Sequence, residues 1–287
     1  MKKRIVVAAA FAVLMAASAH AQTADFFALV QTGTPQQVQA AIDKGANVRA
    51  LDAMGRTPLL VAAQHNPNPE VITTLLRAGA DIDAQDGTGD NCLVFASGNN
   101  LEVITALLKA GADIESRDAG YDANALMWAA QYTKNPEVIS TLLRAGSDVN
   151  GRNKDGLTAL MWAAMSNKNA EVIVETLNAG AEVNAQDSGS RTALMWAAHS
   201  NPNPGVITTL LDAGSNIEAL DFMGHTPLMI AAEANPNPEV IIALLKAGAD
   251  TKTKDKAAKT AVDYAKSNYS LRVRGTDALK QLEEASK

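Results

Sequence analysis

The feature that most constrains this chain is its self-similarity. With the Asp or Asn ahead of each turn as origin, units open at Asp52, Asp86, Asp118, Asn153, Asp187, Asp221 and Asp255, at separations of 34, 32, 35, 34, 34 and 34 residues. Each origin is followed by a string such as GRTPLLVAA, DANALMWAA or GLTALMWAA, then by a second such as NPEVITTLLRAGADIDA. A recurring period of this size predicts stacked units rather than one globular core. Each unit reads as two helices. In the first, Thr57 is a good N-cap and Pro58 suits the first helical position, where a missing N–H costs nothing. Leu59, Ala62 and Ala63 then form one buried stripe. The second helix starts at Asn68-Pro69, is expected to bury Val71, Ile72, Leu75 and Leu76, and stops at Gly79, which tolerates a left-handed C-terminus. So small a pair cannot bury its own apolar face and needs neighbours.

Composition narrows the function classes. Of 287 residues, 47% are hydrophobic but only 4% aromatic, so the apolar content is small and aliphatic. That suits close helix packing and argues against a β-sandwich. With 25 basic and 31 acidic residues the net charge is −6, and no basic run could supply a nucleic-acid face. The single cysteine, Cys92, excludes an internal disulfide framework and a four-cysteine zinc site; it reads as a small buried residue. Lys2, Lys3 and Arg4 precede an uncharged run from Ile5 to Ala17 that ends in Ala19-His20-Ala21. This is the pattern of a cleavable signal peptide over residues 1–21, implying a periplasmic or secreted protein. Outside it no apolar stretch approaches membrane-spanning length, so no membrane span is expected after cleavage.

The paired strings resemble the ankyrin-repeat family, over about residues 24–287 and in at least six full copies. The resemblance implies an all-α solenoid of stacked helix-turn-helix repeats joined by β-hairpin-like turns. It divides the chain into a signal peptide (1–21), an N-terminal capping repeat (22–51), six repeats (52–85, 86–117, 118–152, 153–186, 187–220 and 221–254) and a C-terminal capping repeat (255–287). In the last, only Leu279 and Leu282 are expected inside the closing helix. Most units depart from the family pattern by one extra residue between the helices, as in Asn66-Pro67-Asn68-Pro69, Asn201-Pro202-Asn203-Pro204 and Asn235-Pro236-Asn237-Pro238. Caps and prolines there read as rigid turns. The second unit is short and the third has an extra residue before Asn124, which predicts irregular hairpin tips or altered stacking there. The resemblance also implies that the recurrent Asp, with Thr57, Thr158, Thr192 and Thr226, ties each hairpin by hydrogen bonds, and that a partner is gripped by a concave groove and the tips.

The position about 200° around the helix from Leu59 is expected to line that groove. It carries Val61, Phe95, Trp128, Trp162, Trp196 and Ile230, so all three tryptophans are equivalent, at an expected spacing of about 10 Å. Two readings stand: an aromatic ladder anchoring a partner, or rings lying flat across the next repeat. The neighbouring Met127, Met161, Met195 and Met229 read as core. One turn on, Gln131, Tyr132, Met165, His199 and Glu233 vary as a tuned surface would. The tips add Met54, Arg56, Tyr121, Leu157, Arg191, Phe222, Met223 and His225. Exposed Phe222 and Met223 are hard to explain by folding alone.

Chemistry is sparse. His199 and His225 have no cysteine or carboxylate with them at metal-ligand spacing, and no G-x-S-x-G, phosphate loop or H-E-x-x-H occurs. No catalytic residue, metal or cofactor is therefore expected. The expectation is a monomeric, non-enzymatic scaffold exported to the periplasm that binds another protein. Alternatives are a dedicated protective or inhibitory partner of one enzyme, and a small-ligand or metal carrier around His199 and His225.

Overall fold

The computed structural model describes residues 24–98, 100–267 and 276–287, so the signal peptide expected over 1–21 lies outside the described residues. Among the described residues the regular secondary structure is helical, with no strand. A first helix, α1, runs over 24–32. It is followed by α2 (Pro35–Asp43), α3 (Pro58–His65), α4 (Pro69–Arg77), α5 (Cys92–Ala96) and α6 (Leu101–Lys109). Then come α7 (Ala125–Tyr132), α8 (Pro136–Arg144), α9 (Ala159–Ser166), α10 (Ala170–Asn178), α11 (Ala193–Ser200) and α12 (Pro204–Asp212). The chain closes with α13 (Pro227–Ala234), α14 (Glu239–Lys246), α15 (Ala261–Ser267) and α16 (Asp277–Ala285).

The caps are where the residue types put them. The Thr57 hydroxyl accepts from the backbone N–H of Leu60 ahead of Pro58, and Asn68 accepts from Glu70 ahead of Pro69. Gly79 follows the second helix at φ +88°, a conformation costly for any residue with a Cβ.

Two compact units result. One holds the described chain up to Ala96 together with Asn100–Gly120, the other residues 97–98 and the described chain from Tyr121 onward. In the first, α3 packs on α5, and α4 lies between α2 and α6. In the second, α7, α9, α11, α13 and α15 form one row and α8, α10, α12, α14 and α16 the other, each helix pairing with its partner across the rows. Neighbours on both sides explain why the first helix of a repeat is buried almost all round: Pro58 to Ala63 are all inside, as are Ala159 to Ala164. Met127, Met161, Met195 and Met229 are core, as expected.

Two assignments of core residues change. Leu76 is half-exposed and Thr74 takes the buried place, its hydroxyl donating to the carbonyl of Glu70. In α16 Leu282 is buried, but Leu279 is half-exposed and Ala278 sits inside, the helix turning that face to the rest of the unit. The predicted irregularity falls where the spacing slips. The helix α5 has five residues where α3, α7, α9, α11 and α13 have eight, and Asp122 stands at φ +56° beside the inserted residue.

The inter-helix loops hold more than rigid turns. Asn66 is buried, and its Nδ2 donates to the carbonyls of Val30 and Gly33 in the preceding helix pair. Asn167 does the same to Ala130 and Thr133, Asn201 to Ala164 and Asn167, and Asn235 to Ala198 and Asn201. The Oδ1 of each of these four meanwhile accepts from the backbone two residues on. Each loop is thus clamped to its predecessor by a fully used amide, which satisfies carbonyls at the end of the earlier helix.

Candidate partner-binding surface

The hairpin base sets the geometry of everything displayed beyond it. In each regular turn one side-chain oxygen of the opening residue accepts two backbone N–H groups, from the second and fourth residues on. Asp187 Oδ1 takes those of Gly189 and Arg191 at 2.8 Å each, and Asp221 and Asp255 repeat the pattern. The recurrent Asp is therefore framework, as the family resemblance implied.

The second carboxylate oxygen selects the residue above it. Asp187 Oδ2 receives the indole N–H of Trp196 at 2.9 Å. Where the ladder position is aliphatic, the fourth residue of the turn supplies the donor instead: Arg56 Nε to Asp52 Oδ2 at 2.9 Å, and His225 Nδ1 facing Asp221 Oδ2 at 3.1 Å. In the last repeat Tyr264 fills the ladder position and its hydroxyl donates to Asp255 Oδ2 at 2.5 Å, while His225 Nε2 lies 3.0 Å from the same hydroxyl. Burial pushes the Tyr264 hydroxyl towards its neutral form, helped by that bond and by the Asp255 charge. Burial likewise favours the neutral form of Asp255, but the Tyr264 bond, the two backbone bonds and the nearby His225 outweigh it and hold its carboxyl below the ordinary range. The fourth repeat breaks the rule. Asn153 replaces Asp, and both its Nδ2 and the indole N–H of Trp162 are buried without a partner.

The ladder position is mainly packed rather than open. Val61 and Ile230 are buried, Trp162 is only 6% exposed, and Phe95, Trp128 and Trp196 are half-buried. Nor are the tryptophans spaced as expected: the rings of Trp128 and Trp162 meet at 5.1 Å between centroids, inclined by 68°. Long side chains lean along the stack and fill the space that the alanines leave. Access is confined to the residues around them. Tyr121 stands edge-on to both tryptophans at 5.8 Å and is 52% exposed. Tyr132, 56% exposed, stacks on Trp128 at 5.8 Å. Together they make one aromatic patch within the second unit.

The other expected contact residues divide. Gln131 and Met165 are half-buried, and Gln131 Nε2 bonds Ser166 Oγ. His199 and Glu233 are exposed. His199 lies 6.1 Å from the Trp196 ring, and partial burial with the Arg191 charge disfavours its cationic form. On the tips, Met54, Phe222 and Met223 are exposed. Arg56, Leu157, Arg191 and His225 are half-buried: Arg56 also donates to Gln64, and Arg191 lies over the Trp196 ring at 5.1 Å. Arg56, Arg191 and His225 serve the hairpins first. Sequence reasoning missed Leu51 and Leu220, both exposed just before a turn, though an apolar residue beside a recurrent Asp is a legible signal. Among the described residues no group of three His, Cys, Asp or Glu could hold a metal ion, and burial pushes the Cys92 thiol up to about 12, leaving it inert.

Comparison with known proteins now bears on this geometry. A family model for ankyrin repeats matches residues 26–118, 126–221 and 160–255. The chain belongs to the ankyrin-repeat family. No curated protein matches it. Ankyrin-repeat proteins are in general non-catalytic scaffolds for protein–protein interaction, so a protein partner is the class of ligand to expect. No helix among the described residues is long and apolar enough to cross a membrane.

Proposed function

We propose that this ankyrin-repeat protein is a non-enzymatic adaptor, exported to the periplasm, which binds one partner protein through the aromatic patch of Tyr121, Trp128 and Tyr132 and the neighbouring hairpin tips. The single observation that carries the reading is the exposure of Tyr121 and Tyr132 on rings that are already braced. An aromatic ring held by its neighbours loses little conformational freedom on binding, which is why such rings dominate interface energetics. Export is supported by the basic head, apolar run and Ala19-His20-Ala21 end of the N-terminus.

The test is capture from periplasmic extract with the purified chain as bait. Replacing Tyr121 and Tyr132 together by Ala is expected to weaken retention of the partner by about a hundredfold, as loss of two hot-spot rings would. Undiminished capture by a variant with unchanged helical dichroism would reject the patch.

A further inference from the structure

The hairpin opened by Asp221 displays Leu220, Phe222 and Met223, all exposed, on a backbone that is held from both sides. The N–H of Phe222 donates to the carbonyl of Gly189, and the carbonyl of Met223 accepts from the backbone of Lys256. Lys256 Nζ also donates to the Phe222 carbonyl at 2.6 Å, so the next hairpin lies directly against this apolar tip. That next hairpin reads TKTKDKAAKT over 251–260, with Lys252, Lys254, Lys256 and Lys259 all exposed. Its one acid, Asp255, is buried under Tyr264 and His225 and offers nothing to the surface. In a chain of net charge −6, this is an exposed apolar tip with Lys256 set against it, on the side of a hairpin that carries three further exposed lysines.

We infer that the tip of Phe222 and Met223, with Lys256 and its lysine-bearing hairpin beside it, receives an acidic segment of a partner protein that carries a large apolar side chain. The inference rests on the adaptor reading above and adds the partner's chemistry. An apolar anchor supplies affinity at the centre of such a contact, and opposite charge at the rim supplies encounter rate and discrimination. A basic segment would be repelled by Lys256 and its hairpin, and a neutral one would gain nothing from them. A flat anionic lipid surface fits less well: the tips of one unit form a row, and Asp155, exposed on the tip of the fourth repeat, would be pressed against it.

The test pans a displayed random-peptide library over the full chain at low and physiological salt. Recovered ligands are expected to be acidic with at least one Phe, Leu, Ile or Trp. Their affinity is expected to fall about tenfold when Lys252, Lys254, Lys256 and Lys259 are all changed to Gln, and to fall again on raising salt. Phe222→Ser with Met223→Ser, which alters only exposed side chains, is expected to abolish binding. Neutral or basic ligands, no ligands at all, or acidic ligands indifferent to both variants would overturn the inference. So would sedimentation with phosphatidylserine-rich vesicles that the lysine variant abolishes while peptides fail to bind. Ligands lost on changing Tyr121 and Tyr132 but not the lysines would leave the adaptor reading standing and remove this one.

Discussion

At the scale of the residue, the pairing of the turn Asp with a donor above it, seen at Asp52, Asp187, Asp221 and Asp255, is the most specific feature of the molecule. Asp187 takes Trp196, Asp255 takes Tyr264, Asp52 takes Arg56, and Asp221 faces His225. In the fourth repeat two buried donors, Asn153 Nδ2 and Trp162 Nε1, stand without an acceptor. A buried unmet donor is worth about 1–3 kcal/mol of lost stability. Asn153→Asp should supply the missing acceptor as Asp187 does, keeping the two backbone bonds at 3.0 and 2.8 Å. The expected outcome is a gain of about 1 kcal/mol after desolvation of the new charge, read as a raised denaturant midpoint with unchanged slope. The exchange was legible in principle, because aliphatic ladder positions coincide with a donor at the fourth turn residue. Reading it required knowing that the side chains lean towards the turn, which helical periodicity alone does not say. Nor does periodicity reveal the lean along the stack that brings Trp128 and Trp162 together.

At the scale of the element, helix starts were legible because capping chemistry is local. Thr158 and Thr192 accept from the third residue on, and Asn135 and Asn203 from the second, as the residue types require. The second role of the loop asparagines was not legible, since their partners lie more than thirty residues back and one polar side chain looks much like another in a loop. Asn201→Ala should leave the carbonyls of Ala164 and Asn167 unmet in a buried site. The expected cost is about 2–4 kcal/mol, well above the roughly 1 kcal/mol of an ordinary cap, and urea unfolding measures it. Substitution of Asn203, whose donor bond to Lys168 is exposed, should cost less and serves as the control.

At the scale of the whole molecule, stability should depend on acid in a predictable direction. Asp52 and Asp255 are pulled up by burial but held below the ordinary carboxylate range by their hydrogen bonds, and Asp250 and Asp263 are held there chiefly by backbone and Thr bonds. A carboxyl whose value is lower in the folded chain contributes stability above the unfolded value, near pH 4, and loses it as pH falls through the folded value. Asp90 runs the other way, raised by burial and by the charges of Asp86 and Asp118, so its protonation relieves the folded state. With His199, whose cationic form the fold disfavours, the balance predicts a melting midpoint that slips below about pH 6.5 and falls steeply below about pH 4, measured by calorimetry from neutrality downward. The asparagine clamps carry a different consequence for the molecule's history. Since every such loop brings with it the side chain that fastens it to whatever stands before, a unit can be duplicated or deleted in frame without leaving an unmatched seam. Copy number can therefore drift under selection while each surviving junction stays intact.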